Sequence, residues 1–99
     1  MVLFGVCEFL GYESKESKSG NKYKQVKVLD KNFDSYQFYA GSDTVSDLTL
    51  PLNVIEKGDI IVVRYNYLYN SYDRAYRLNL LDILPFDEQI HSFMLPPMN

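Results

Sequence analysis

Apolar and polar side chains alternate along several short stretches of this chain, and no stretch shows a helical repeat of useful length. In residues 23–29, Val26 and Val28 alternate with Gln25 and Lys27. A period of two is typical of a strand with one face in a core and the other in solvent. A chain of 99 residues built from such strands must pair all of them within one small domain.

Five stretches are predicted to be strands, separated by turn-forming residues. They cover residues 2–12, 23–29, 35–40, 60–69 and 75–86. Gly5 predicts a bend or bulge in the first strand, and a slip in phase at Leu80–Leu81 predicts a bulge in the fifth. Residues 41–59 contain Pro51, which argues against a central strand, so they predict a long connection with one helical turn.

This strand order predicts an all-β fold: a five-stranded antiparallel Greek-key barrel of the OB-fold type. The long first strand and its glycine favour this fold, because that strand must bend to pair at both ends. A five-stranded barrel of the SH3 type is the main alternative. The barrel is predicted to span residues 1–86 as a single domain, and residues 87–99 are predicted to form a C-terminal tail.

Positive charge is concentrated in two blocks, although the whole chain is acidic with a net charge of −3. Residues 14–31 hold six lysines and two acids, and residues 60–80 hold three arginines and one acid. An anionic partner responds to such a local field rather than to the total charge. The chain also has nine tyrosines and no tryptophan. Tyrosine favours strands, and its flat ring can also stack on a nucleobase.

An OB-fold binds ligands on the face of strands two and three, between the loops that join strands one to two and four to five. These loops are predicted at residues 13–22 and 69–74, and the outward faces of the two strands carry Tyr23, Gln25, Lys27, Gln37 and Tyr39. The predicted nucleic-acid-binding residues are Lys18, Lys22, Tyr23, Lys24, Lys27, Tyr39, Arg64, Tyr72, Arg74 and Arg77.

Lysine next to exposed tyrosine indicates a single-stranded nucleic acid. Lysines neutralise phosphates and release counterions whatever the sequence, and tyrosines stack on bases that a duplex would hide. Each of these residues also has a purely structural explanation, as part of a solvated loop, a packed strand or a turn. The choice between DNA and RNA stays open, because OB-folds take both.

The run GYESKESKSGNKYKQVKVLD, with the later GDIIVVRYNY and YRLNLLDI, resembles small single-stranded DNA-binding proteins of phages, plasmids and other mobile elements. The resemblance covers about residues 2–84 and is greatest to the gene V type. It implies a dimer that coats single-stranded DNA cooperatively and without base preference during replication or recombination. By this resemblance, the residues expected to contact the DNA strand are Lys18, Lys22, Tyr23 and Lys27, together with Tyr72 and Arg74.

No enzymatic activity, cofactor or metal is expected. The only histidine, His91, stands in the tail, no phosphate-binding loop is present, and Cys7 and His91 are too few for a zinc site. No apolar run reaches the roughly 18 residues of a membrane span, and a single cysteine suits a reducing compartment. A cytoplasmic protein without membrane contact is therefore expected.

The main alternative function is a small β-barrel that binds another protein, as an adaptor or inhibitor, without nucleic acid. Tyrosine and arginine are common in protein interfaces, and the acidic total favours this alternative. The clustering of lysine opposes it. For the nucleic-acid function, the expected partners are single-stranded DNA or RNA, a second copy of the chain and a replication protein.

Overall fold

A computed structural model of the chain describes residues 1–71 and 74–86. The elements are β1 (Leu3–Glu16), β2 (Lys22–Leu29), β3 (Ser35–Gly41), helix α1 (Ser42–Ser46), a 3-10 turn (Leu52–Val54), β4 (Ile60–Asn70) and β5 (Ala75–Pro85). The strands close into a barrel in the order β1-β2-β3-β5-β4, with β1 paired to both β2 and β4. The predicted all-β, five-stranded, OB-fold-like barrel is confirmed, and so is the helical turn in the long connection.

The expectation of wholly antiparallel pairing is wrong at one place. β3 and β5 run parallel and meet at a bridge between Tyr39 and Asn79, whereas the other pairings are antiparallel. The reason is the number of strands. Directions that alternate around a closed ring of five strands must repeat once, so one neighbouring pair has to be parallel.

β1 changes partner at a bulge beside Gly11, and not at Gly5 as its sequence suggested. Leu3–Glu8 pairs with β4, and Gly5 lies in an unbroken register opposite Val63. Glu8–Glu16 pairs with β2, and the register skips one residue between Phe9 and Gly11, where Gly11 has φ +142°. That backbone region is easily reached only by glycine. The bulge bends the strand, which allows it to close both edges of the barrel.

The predicted slip in β5 is confirmed. Arg64 of β4 lies opposite Asp82, whereas the next residue, Tyr65, lies opposite Leu80, so Leu81 is the extra residue of a bulge. The bulge shifts the alternation by one position. As a result Leu80 and Ile83 are both fully buried in the core.

The inward side chains of all five strands form one apolar core, and the connection between β3 and β4 packs against it. The strand residues of the core are Cys7, Phe9, Val26, Val28, Phe38, Ala40, Ile61, Val63, Tyr65, Leu80 and Ile83. The connection adds Leu48, Leu52 and Ile55. It is fixed to β5 because the Asp82 carboxylate accepts hydrogen bonds from the Thr49 backbone N–H and hydroxyl, both at 2.7 Å. Among the described residues, no helix has the length and apolar character needed to cross a membrane.

Candidate nucleic-acid interface

The outside of the barrel over β2, β3 and β5 brings several of the predicted binding residues together. Gln25 lies opposite Tyr39 and Lys27 opposite Gln37, while Val26 points into the core. The parallel bridge to β3 adds the outward side chains of β5. We call this region the outer surface, defined as Tyr23, Gln25, Lys27, Gln37, Tyr39, Arg77 and Asn79. The outward placement predicted for the side chains of β2 and β3 is confirmed.

Three side chains of the outer surface form a continuous stack. The ring centroids of Tyr23 and Tyr39 are 4.8 Å apart, with 33° between the ring planes. The guanidinium carbon of Arg77 lies 4.0 Å from the centroid of the Tyr39 ring. These are the separations of a packed aromatic pair and of a close cation–π contact. Strands β2, β3 and β5 thus each contribute one layer to a Tyr23–Tyr39–Arg77 stack.

The lysines at the β1 side of this surface are held by an acid. Lys27 Nζ lies 2.6 Å from Glu13 Oε1, and Lys15 Nζ lies 3.3 Å from Glu13 Oε2. The hydrogen bonds from Lys27 and then from Lys15 lower the pKa of Glu13, because they stabilise its charged form. Glu13 therefore offsets part of the positive charge that the sequence places here.

Lys22 and Lys24 alternate with Tyr23 along β2, and Lys22 also lines a depression with Tyr39 and Asn79 at the edge of the outer surface. Both lysines line a groove of about 550 Å³ between the β1–β2 hairpin and α1, together with Ser14, Tyr23, Ser42 and Val45. The Lys24 ammonium donates a hydrogen bond to Ser14 Oγ and sits 5.6 Å from the centroid of the Tyr12 ring. Because alternate residues of a strand face opposite ways, Lys24 points away from the outer surface, although Lys24 and Tyr23 both line this groove.

The predicted loop over residues 13–22 is mostly strand. Pairing continues to Glu16 opposite Lys22, and only a short turn remains, in which the Ser17 N–H donates to the Asn21 carbonyl at 2.8 Å. After the bulge, the polar residues 13–16 continue the ladder with β2. Lys18 is exposed in this turn, away from the stack.

The remaining predicted residues are spread more widely. Arg64 faces outward on β4 opposite Phe4 and Asp82, one outward position from Asn66, which accepts a hydrogen bond from Asn79 Nδ2 at 3.1 Å. Arg74 is exposed, with φ +51°, in the turn before β5. Tyr72 lies outside the described residues.

Sequence reasoning missed two features that bear on binding. Glu13 was taken as part of a loop, although its alternation with Ser14 and Lys15 could have shown a strand. The far ends of β4 and β5 also carry Tyr69 and Tyr76, whose rings meet at 5.4 Å and whose side chains are 57% and 70% exposed. The sequence does not predict this exposed pair, because the alternation of apolar and polar residues does not show where two paired strands extend beyond the barrel.

A second group of aromatic side chains surrounds a cavity of about 230 Å³ at the mouth of the barrel, lined by Tyr36, Phe38, Tyr65 and Tyr67 with Asp30 and Cys7. The rings meet edge to face, with centroids 5.1 Å apart for Phe38–Tyr65 and 6.2 Å for Tyr65–Tyr67. The Tyr36 hydroxyl donates to the Asp30 carboxylate at 3.1 Å. We call this group the mouth cluster.

Hydrogen bonds and burial shift the pKa values of Asp30 and Cys7 in the mouth cluster. Asp30 accepts backbone N–H bonds from Asp34 and Asn32. These bonds, that from Asp34 first, lower the pKa of its carboxyl group. Burial, with a smaller effect of the Asp30 charge, raises the pKa of the Cys7 thiol to about 12. The thiol therefore stays protonated and behaves as an apolar core residue.

Within residues 1–71 and 74–86, no three His, Cys, Asp or Glu side chains are grouped as a metal site would require. No protein-family model matches the chain, and no curated protein matches its sequence.

Proposed function

We propose that this protein binds single-stranded DNA, without base preference, on the outer surface. The observation that supports this most directly is the Tyr23–Tyr39–Arg77 stack on the outside of the barrel. A base can extend such a stack, and stacking discriminates little between bases because each of them has a flat π face. Lys15, Lys27 and Arg77 supply positive charge for the phosphates between the stacked bases.

The neutral part of the outer surface supports a single strand over a duplex. Gln25, Gln37 and Asn79 surround Tyr39, and their amides can donate to or accept from exposed base edges. In a duplex the Watson–Crick edges are paired and the base faces are stacked on their neighbours, so neither an aromatic stack nor these amides could reach them. A duplex would contact only the few positively charged side chains of this surface.

The resemblance found in the sequence extends the proposal to a biological setting. In that setting a cytoplasmic homodimer coats single strands during replication or recombination of a phage or mobile element, in contact with a replication protein. The oligomeric state is the part most easily tested. Light scattering coupled to size exclusion should give twice the mass of the 11.6 kDa chain, and the mass of one chain would contradict the dimer.

The first test is a fluorescence-anisotropy titration with a labelled oligo-dT of about 30 nucleotides, which is longer than the roughly 4–16 nucleotides that one OB-fold occupies. We expect micromolar or tighter binding that weakens as salt is raised, and much weaker binding to a duplex of equal length. Absence of binding to oligo-dT at low salt would overturn the proposal. Equal affinity for the duplex would overturn the preference for single strands.

A protein-binding module is the second candidate, and one observation favours it. The ends of β4 and β5 expose Tyr67, Leu68, Tyr69 and Tyr76 by 43–70%, and exposed aromatic patches are frequent at protein interfaces. The same titration separates the two candidates. A module of this kind leaves oligo-dT free even at low salt, whereas a strand-binding protein does not.

A further inference from the structure

The Tyr39 ring is already contacted by side chains of both neighbouring strands. Tyr23 approaches it from β2 at 4.8 Å and Arg77 approaches it from β5 at 4.0 Å. β2 and β5 are the two neighbours of β3 in the barrel, so these contacts come from opposite sides. The Tyr39 ring already has two planar neighbours, so it is a poorer platform for a nucleobase than the exposed Arg77, although the sequence made Tyr39 a candidate for stacking.

We propose that Arg77 offers its flat guanidinium to a nucleobase, and that Tyr39 is a positioning residue that holds it in place. This inference rests on the proposed function. A guanidinium is planar and stacks on aromatic faces, and bases stack on arginine planes in complexes with single strands. The stack therefore has a guanidinium at its β5 end and the Tyr23 ring at its β2 end.

The surroundings of Arg77 support this role over that of an ion-pair partner. Among the described residues, no carboxylate pairs with Arg77, whereas Lys15 and Lys27 share Glu13. Arg77 is exposed on β5, so the guanidinium face turned away from Tyr39 can be reached. What holds its plane is the contact with the Tyr39 ring.

Arg77→Lys tests shape against charge, because lysine keeps the charge and loses the planar group. With oligo-dT, we expect its affinity to fall about 5- to 150-fold, the range of one lost stacking contact. The slope of affinity against salt should stay unchanged, since the same number of phosphates is neutralised. An abasic oligonucleotide of equal length is the control, and on it wild type and Arg77→Lys should bind equally.

A double-mutant cycle tests the role of Tyr39. Tyr39→Leu should lose about as much affinity for oligo-dT as Arg77→Lys, and Tyr39→Phe, which keeps the ring, should lose little. In the Tyr39→Leu/Arg77→Lys variant the losses should not add, because both changes remove the same platform. Quenching of 2-aminopurine placed within the oligo-dT should fall to the same level in all three variants that lack the platform. Far-UV circular dichroism confirms that each variant is folded.

Three outcomes are decisive. If Arg77→Lys binds oligo-dT as tightly as wild type, Arg77 acts only by its charge and the inference is overturned while the proposed function stands. If the losses of Tyr39→Leu and Arg77→Lys add fully, Tyr39 meets a base itself and the inference is again overturned. If wild type binds no oligonucleotide, the proposed function itself fails.

Discussion

The outer surface and the mouth cluster both gather tyrosines, but they hold the rings in different ways. On the outer surface the rings of Tyr23 and Tyr39 pack together with their planes tilted by 33°, and the guanidinium of Arg77 lies over the Tyr39 ring. In the mouth cluster Tyr65 meets Phe38 edge to face and is only 7% exposed. The polar neighbour there is Asp30, which is bound by the Tyr36 hydroxyl.

The difference shows that the neighbours of a tyrosine, and not its abundance in the sequence, indicate its role. A buried ring with edge-to-face contacts on a core contributes to stability, as other core aromatics do. An accessible stack that ends in Arg77, which pairs with no carboxylate among the described residues, has its flat ends available to a ligand. The two groups should therefore respond in opposite ways to substitution, and this comparison can be tested residue by residue.

The largest effect is expected for Tyr65→Ala in the mouth cluster. Removing a buried aromatic ring costs about 3–5 kcal/mol of the free energy of unfolding, which urea denaturation followed by circular dichroism would measure. Tyr65→Phe keeps the buried ring and its edge-to-face contacts and should therefore cost much less. The affinity of the folded fraction for oligo-dT should stay unchanged. A loss of affinity in Tyr65→Phe would mean that the mouth cluster also takes part in binding, so that the two groups of tyrosines do not differ in role.

Tyr23→Ala on the outer surface should show the opposite pattern. We expect its affinity for oligo-dT to fall by about 1–3 kcal/mol. Its free energy of unfolding should fall by about 0.2–1 kcal/mol, the range of a cross-strand pair. Anisotropy and urea denaturation give the two quantities. The matched control is Tyr76→Ala, which removes a 70% exposed ring outside the stack and should leave the affinity nearly unchanged. Equal losses in the two variants would mean that the stack has no special part in binding.

Glu13→Gln should tighten binding. It removes the carboxylate that Lys15 and Lys27 share, so both ammonium groups become free to meet phosphates. We expect about 2- to 5-fold higher affinity for oligo-dT at low salt, and a salt slope steeper by about 1–2. Glu16→Gln makes the same change of charge three positions along β1, and among the described residues Glu16 has no ion pair. A similar gain in Glu16→Gln would show that only the total charge matters.

The smallest effect concerns the mouth cluster in acid. Hydrogen bonds to its charged form lower the pKa of Asp30 in the folded state. Its contribution to stability is therefore present above the unfolded pKa of about 3.9, and it is lost as the pH falls through the lower, folded value. Thermal unfolding of Asp30→Asn should depend less on pH than that of wild type below about pH 4. The same dependence of the unfolding temperature on pH in the two proteins would contradict this prediction.

The sequence was sufficient for the features that a period of two determines. The number of strands, the outward positions of β2 and β3 and the bulge at Leu81 all follow from alternation. Lys27 and Tyr39 were placed on one surface for the same reason. The parallel pairing of β3 and β5 could also have been deduced, since a closed barrel of five strands demands one such pair.

Other features depend on contacts between distant residues and could not be read from a local pattern. The end of β1 at Glu16, four residues beyond the predicted end, depends on pairing with β2. The pairing of Glu13 with Lys27 joins residues 14 positions apart, and it requires the register on both sides of the Gly11 bulge. Contact between Tyr39 and Arg77 requires the closure of the barrel itself.

The closure of the barrel depends on a short pairing between β3 and β5. β3 and β5 meet at the single bridge between Tyr39 and Asn79. The contact between Tyr39 and Arg77 joins the same two strands. If the barrel opens here, it exposes two unpaired strand edges, which are templates for aggregation. A ligand that stacks on side chains of both strands would stabilise their pairing. Occupancy of the outer surface would then protect the protein from self-association, and amide hydrogen exchange along β3 would slow when oligo-dT is bound.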